Sequence, residues 1–470
     1  MTHRDINMDS NSSGARLNRR DFLGLLAGGA ATLAMPDCLL GAPASAARKR
    51  PNFVVIFTDD QGYQDAGCFG SPLIKTPHLD KMAAEGMKLT DFYVAASVCT
   101  PSRAALLTGC YAQRVSLPNV LFPNSKIGIN ADEVTLAELL KTCGYATVCI
   151  GKWHLGHLPP FLPTRHGFDH YFGIPYSNDM RPTPLMRDEK VIEEPANQAT
   201  LTERYTEEAI KFIIENKDRP FFLYLPHTMP HVPLHVSERF KGKSKRGLYG
   251  DVIECIDWST GQILETIRRL GLDRNTLVIF TSDNGPWLSK GKNGGSALPL
   301  RGGKFTTYEG GMRVPCIVRW PGKIPAGSVC SEMAASMDLF PTFAKLSGAR
   351  MLTDRIIDGK DIRPLLSGVK GAKTPHEAFF YYRGYNLEAV RSGKWKLILE
   401  RSQRKKNQPA RKIPETLYDL RADIGETKDV SAEYPQVVER LNELAERCRK
   451  DLGDARQNRP GRNRRPAGKV

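Results

Sequence analysis

Residues 51–60, PNFVVIFTDD, run apolar almost without a break and end on two acids. A continuous β-branched and aromatic run of this length predicts a strand buried on both faces, the kind that parallel sheets contain. The same form recurs at 145–150 before GKWHLG, at 220–225 before PHTMPH, and at 276–280 before TSDNG. Between these runs, 134–143, 205–216 and 249–270 carry apolar residues at helical spacing. Strand, polar loop and helix in alternation predict an α/β fold, a mostly parallel sheet with helices on both faces. Ligands of such sheets bind beyond the carboxyl ends of the strands. The polar clusters fall there. After about residue 368 the pattern changes to short runs at 378–382, 387–399 and 416–420 and an amphipathic helix at 434–451. Consecutive strands followed by a helix predict a small antiparallel sheet with a helix. The expected organisation is a main domain over 47–370, a smaller one over 371–455 and a tail over 456–470.

A length of 470 residues exceeds what one core usually holds, in keeping with two domains. The first 46 residues stand apart. Asn18 to Leu23 read NRRDFL, an apolar Gly- and Ala-rich stretch follows to Met35, and Ala44-Ser45-Ala46 comes after it. A twin arginine, a short apolar region and an A-x-A site predict an export signal, too short to remain as a membrane span. Asp37 before Cys38 does not suit lipoprotein processing. The expected location is therefore periplasmic or extracellular, reached through twin-arginine export machinery. Net charge is +16, and the signal adds nothing to it, because its four arginines balance four aspartates. A basic protein suits polyanionic partners. Part of the excess lies in the tail from Arg456 to Lys469, which has no acid and reads as a solvated arm. The ten cysteines are scattered and form no CxxC pattern; Cys143, Cys149 and Cys316 sit in apolar runs and are expected to be buried thiols.

Two acid pairs carry the first chemical signal. Asp59-Asp60 close the first strand and Asp283-Asn284 follow the strand at 276–280. Either pair alone could cap a helix. Three carboxylates and an amide converging at one sheet edge would need a hard cation, calcium or magnesium rather than zinc. The second signal is CTPSRAALLTG, Cys99 to Gly109. Read alone, it is a Thr-Pro-Ser loop leading into a helix capped by Ser102, with Arg103 exposed. Read as a string, it resembles the sulfatase signature at every defining position, Cys, Pro two residues on, Ser-Arg, then Thr-Gly.

By this resemblance, which extends from the first strand to the LYDL segment at Leu417, the chain is similar to formylglycine-dependent sulfatases of the arylsulfatase A and N-acetylgalactosamine-6-sulfatase branch. The resemblance implies an alkaline-phosphatase-like fold and oxidation of Cys99 to formylglycine by a maturation enzyme. The hydrated aldehyde has two hydroxyls, one to attack sulfur and one to expel sulfate afterwards. It further implies that Lys152 binds sulfate and His154 partners the formylglycine hydroxyl, both from GKWHLG. His231 of PHVP would be the catalytic histidine, and Lys304 of LRGGKFTTYEGG would contact sulfate and leaving oxygen. Ser177 of GIPYSND would contact sulfate, and Arg103 would hold the nucleophile and metal-bound oxygens. The implied metal set is Asp59, Asp60, Cys99, Asp283 and Asn284, holding calcium, with magnesium as the alternative. Sulfate esters present negative oxygens to any nucleophile, so a divalent cation with Lys152, Lys304 and Arg103 is physically apt. The expected substrate is a sulfated sugar or polysaccharide, with no nucleic acid expected. Two rivals are a phosphate or phosphonate monoester hydrolase and a silent polysaccharide-binding protein in which Cys99 stays a thiol.

Overall fold

The computed structural model describes residues 50–403 and 411–470. The expected export signal, with Arg19, Arg20 and Cys38, lies outside the described residues. The first strand, β1 (Asn52–Thr58), is buried at all seven positions. Its side chains alternate between two cores. Phe53, Val55 and Phe57 face one layer of apolar residues, while Val54 and Ile56 face another. Each such side chain contributes roughly 1.5–3 kcal/mol by leaving water, so neither face tolerates a charge.

The strands that follow in the chain are β2 (Met87–Leu89), β3 (Ala146–Ile150), β4 (His170–Gly173), β5 (Leu185–Arg187) and β6 (Lys190–Glu193). They continue with β7 (Phe221–Pro226), β8 (Thr276–Ser282), β9 (Cys316–Arg319) and β10 (Ser328–Cys330). All ten form one sheet in the order β10-β2-β9-β8-β1-β7-β3-β4-β5-β6. The five central strands, β8-β1-β7-β3-β4, are mutually parallel. Antiparallel strands flank them, with β9 on β8 and β5 on β4. This is the α/β architecture expected from the alternation.

Helices cover both faces. On the Val54 side lie α1 (Pro77–Ala84), α4 (Leu201–Glu215) and α5 (Leu248–Arg269). Helix α4 buries Leu201, Tyr205, Ala209, Phe212 and Ile213, the spacing of one helical face. On the Phe53 side lie α2 (Cys99–Thr108), α3 (Leu136–Lys141) and α6 (Leu339–Ser347).

The carboxyl-terminal part forms a four-stranded antiparallel sheet in chain order, β11 (Phe379–Arg383), β12 (Asn386–Ser392), β13 (Trp395–Ile398) and β14 (Thr416–Asp419). Helix α7 (Pro435–Leu452) follows. The run expected at 387–399 is thus two strands, turned at Gly393, whose φ of 57° favours glycine. Leu387, Ala389 and Leu444 share the apolar layer that contains Phe53. Residues 50–403 and 411–470 belong to one compact unit.

The tail departs from expectation. Instead of a solvated arm, Gly468–Lys469 pairs antiparallel with Ile127–Gly128, and Arg465 donates to Glu133 at 2.6 and 2.9 Å. Nine cysteines fall among the described residues and all are free thiols; Cys149 and Cys316 are buried as expected, whereas Cys143 is half-buried. Among the described residues no helix is long and apolar enough to cross a membrane.

Candidate active site

Strand register builds the site. Thr58 of β1 pairs with Ser282 of β8 at the carboxyl end of both strands. Asp59-Asp60 and Asp283-Asn284 therefore leave the sheet side by side. The Asp283 N–H donates to the Thr58 carbonyl at 2.9 Å, and the Asp60 N–H donates to Asp283 Oδ1 at 3.1 Å. Asp60 sits at φ 66°, a left-handed conformation that costs on the order of 1–3 kcal/mol in a non-glycine residue. The strain turns its carboxylate back over the strand end, where Asn284 Nδ2 donates to it at 2.7 Å.

Cys99 opens helix α2, and no Thr-Pro-Ser loop precedes the helix. Pro101 is tolerated because it lies in the first turn, where backbone N–H groups have no intrahelical partner. Arg103, one turn on, is fully buried rather than exposed. Its guanidinium donates to Asp283 Oδ2 at 2.7 and 3.2 Å and to the Lys152 carbonyl at 2.8 Å, and lies 3.3 Å from Asp59.

The loop after β3 supplies the next cation. Gly151 is required at its start, since a Cβ there would stand 1.9 Å from the Pro226 carbonyl oxygen. Lys152 Nζ then donates to Asp59 Oδ2 and, at 3.1 Å, to Ser177 Oγ. Lys304 Nζ lies 2.7 Å from Asp60 Oδ1 and 3.7 Å from Cys99 Sγ. Three cations thus meet three carboxylates around the cysteine, whose Sγ is 3.6 Å from Asp59 Oδ1.

Burial alone would raise the Asp59 carboxyl, but Lys152, His231, Arg103 and Lys304 hold it well below the usual range. Asp283 goes the other way, up to about 6, from burial and the nearby Asp59 charge. Burial, with Asp59, pushes the Cys99 thiol up to about 12. An unmodified thiol here stays neutral, which makes it a poor nucleophile.

The two histidines differ. His154, at φ 61°, places Nε2 2.9 Å from the Leu121 carbonyl, which makes Nε2 the protonated nitrogen and Nδ1 the free acceptor. Nδ1 is buried with no hydrogen-bond partner. Burial and then Lys152 hold this ring well below its usual pKa, so it is neutral. His231 has its Nδ1 among acceptors, the Val232 carbonyl at 2.6 Å and Asn178 Oδ1 at 3.0 Å. Nδ1 therefore carries the proton, and Nε2 points at Asp60, 3.7 Å away. Ser177 Oγ lies 3.4 Å from His231 Nδ1 and joins that ring to Lys152.

Asp59, Asp60, Cys99 and His231 offer ligand atoms that all lie within 4.8 Å of one another. Asn284 Oδ1 is buried without a donor. A set of carboxylate and amide oxygens with one orphaned acceptor fits a hard divalent cation.

All eleven residues singled out from the sequence converge on this one strand edge or on the loops beside it. Asn178, which fixes the His231 ring, escaped sequence reading although it adjoins Ser177. Trp287, against the His231 ring with centroids 5.6 Å apart, also escaped; its only local signal was its place after Asp283-Asn284-Gly285.

A family model for Sulfatase matches residues 51–349, and one for N-sulphoglucosamine sulphohydrolase, C-terminal, matches residues 303–451. The chain belongs to the sulfatase family and is a sulfuric ester hydrolase. It is 44% identical to N-acetylgalactosamine-6-sulfatase of Rattus norvegicus over 387 residues, covering 77% of this chain and 73% of that one. It is 40% identical to arylsulfatase A of Homo sapiens over 448 residues, covering 85% and 88%. Among solved structures it resembles Ps i-CgsB in complex with k-i-k-neocarrahexaose, with TM-score 0.74, 32% identity and coverage of 85% and 92%.

Proposed function

We propose that this chain is an exported sulfatase of sulfated sugars or polysaccharides, working through formylglycine made from Cys99 and a calcium ion. The observation that carries the reading is the meeting of Arg103, Lys152 and Lys304 with Asp59, Asp60 and Asp283 around Cys99. The sugar specificity is supported by the 44% identical N-acetylgalactosamine-6-sulfatase and the similarity to a carrahexaose complex. Export is supported by Arg19-Arg20 and Ala44-Ser45-Ala46.

Asp59, Asp60, Asp283 and Asn284 would hold the calcium, or magnesium in its place, together with residue 99; the ion supplies positive charge next to the sulfate oxygens. Formylglycine, produced by a maturation enzyme, would supply as its hydrate a hydroxyl nucleophile and a second hydroxyl for release of sulfate. The remaining roles belong to the chain as it stands. Lys152, Ser177 and Lys304 bind the sulfate, which places sulfur above residue 99. Arg103 orients Asp59 and Asp283 beneath it. His154 Nδ1, neutral and unpartnered, accepts a proton from a hydroxyl on residue 99. His231, whose Nδ1 already holds one proton, gives a proton from Nε2 to the leaving oxygen in its imidazolium form, while Lys304 Nζ donates a hydrogen bond to the same atom.

Turnover of a panel of sulfated saccharides, an aryl sulfate and an aryl phosphate tests the reading. Saccharide sulfates are expected to give the highest kcat/KM. Faster turnover of the phosphate would replace the proposal with a phosphomonoesterase.

A further inference from the structure

Phe305 follows Lys304 directly and has φ 70°, yet the residue is 38% exposed. A bulky aromatic in the left-handed region is a genuine outlier, since glycine or asparagine would sit there without strain. Its N–H donates to the Ser97 carbonyl at 3.0 Å, so the conformation is held by the segment that leads into Cys99. An exposed residue gains little from folding. Strain of this kind collects where a side chain has work outside the fold.

Trp287 completes the feature. Its ring meets Phe305 edge to face, centroids 5.3 Å apart, and packs on the His231 ring at 5.6 Å. Lys304 Nζ lies 4.7 Å from the Trp287 ring centre, and Lys290 Nζ lies 4.2 Å from it. Trp287 therefore stands beside both His231 and Lys304, the groups assigned to the leaving oxygen, and Phe305 beside Trp287 and Lys304, whose Nζ is 5.6 Å from its ring centre. The carbon skeleton released with that oxygen must begin within a bond or two of them.

We infer that Trp287 and Phe305 form a sugar-binding subsite, a stacking wall for the apolar face of the pyranose ring that bears the sulfate. Ligand sites combine apolar and aromatic walls with a few fixed polar groups, and this wall stands next to Lys304 and His231. Stacking holds the ring while Lys304 and His231 reach its ester oxygen, which makes these aromatics specificity-determining rather than catalytic. Lys290 adds positive charge at the outer side of Trp287, apt for an anionic sugar. The inference rests on the sulfated-sugar reading above.

The experiment measures kcat and KM of wild type, Phe305→Gly and Trp287→Ala on a panel of sulfated mono- and oligosaccharides. Inhibition by inorganic sulfate is measured alongside. Loss of one stacking partner is expected to raise KM for the saccharides about tenfold, with kcat changed less and the sulfate inhibition constant unchanged. Phe305→Gly should also melt no lower than wild type, because glycine relieves the left-handed backbone. In Cys99→Ala protein, saccharide should quench tryptophan fluorescence, and Trp287→Phe should remove that quench. Unchanged saccharide KM in both variants overturns the inference, as does a parallel loss of sulfate inhibition, which would mean the sulfate pocket itself had been disturbed. If wild type turns over no saccharide in the panel, the sulfated-sugar reading fails and takes this inference with it.

Discussion

The strongest structural test lies in Lys396, which ties the carboxyl-terminal sheet to the loop carrying Lys304. Lys396 is fully buried in β13. Its ammonium donates to the Thr307 carbonyl at 2.8 Å and to Glu309 Oε1 at 2.9 Å, and lies 2.8 Å from Glu426 Oε1. Burial would raise the Glu309 carboxyl, but Lys396, Arg391 and Arg313 bring it down to about 2. Burial raises Glu426, and the two acids share one ammonium. Lys396→Met keeps the length of the side chain and removes the charge. Breaking a buried pair by deleting one partner costs about 3–5 kcal/mol, because the remaining charge is left uncompensated.

The pH dependence fixes the cause. In wild type, the lowered Glu309 pKa contributes stability that is present above about 4.5 and is lost as pH falls toward 2. In the variant, at least one of the two acids must titrate above its unfolded value. The folded state then binds more protons than the unfolded one, and stability falls as pH rises from about 4.5 toward 7. Urea midpoints should therefore show a deficit that narrows toward pH 2, is already present at pH 4.5 and is largest near pH 7. Adding Glu426→Gln should recover part of it, and the double-mutant cycle reads the coupling. Because Thr307 is three residues from Lys304, kcat/KM should also fall about 10- to 100-fold from misplacement. A variant within about 1 kcal/mol of wild type at both pH values would refute the claim that this ion cluster holds the loop.

Further outcomes follow from the site and from His227. Cys99→Ala should abolish turnover while circular dichroism stays native, and the wild-type peptide containing residue 99 should weigh roughly 18 Da less than the thiol form, the mass change of an activated aldehyde nucleophile. Asp283→Ala should lose bound divalent metal by elemental analysis; equal stoichiometric metal in both proteins would make the acids caps rather than ligands. His231→Ala should slow alkyl sulfates ~10²–10⁴-fold more than aryl sulfates, and His154→Ala should trap a covalent sulfate adduct at residue 99, visible by mass. His227 is buried, neither ring nitrogen has a hydrogen-bond partner, and burial lowers its pKa to about 3. It should therefore cost stability as pH drops from about 6.5 toward 3, by up to roughly 4–5 kcal/mol, and His227→Phe should flatten that acid limb.

The catalytic edge was legible because its chemistry is local. PNFVVIFTDD and the strand before TSDNG are buried on both faces, so each reads as an unbroken apolar run, and the acids follow at once. What pattern could not supply was register. Asp60 meets Asn284 only because Thr58 pairs with Ser282, more than two hundred residues away. The outer strands β2, β5, β6, β9 and β10 were missed for the opposite reason. With three or four residues each, they are extended because a neighbour offers hydrogen bonds, and their own sequence shows too short a pattern to register a period.

The tail shows why composition misleads at chain ends. RQNRPGRNRRPAGK has no acid, and a run of like charge reads as a solvated arm whenever its counterions are out of sight. Its partners are distant in the chain. Glu133 takes Arg465, the Leu452 carbonyl takes Arg464 at 2.5 Å, and Ser116 Oγ donates to the Arg465 carbonyl at 2.6 Å. Arg114, nearly fully buried, donates to Asp358, Asp451 and the Asn463 carbonyl, and so joins the loop after α2 to both α7 and the tail. Helix α2 begins with Cys99. The basic tail is thus fastened to the loop that follows helix α2, and Arg464 and Arg465 are spent on an internal carbonyl and an internal acid rather than offered to a polyanion. Positive charge at the site comes instead from Lys152 and Lys304, with Lys290 Nζ 4.2 Å from the Trp287 ring centre.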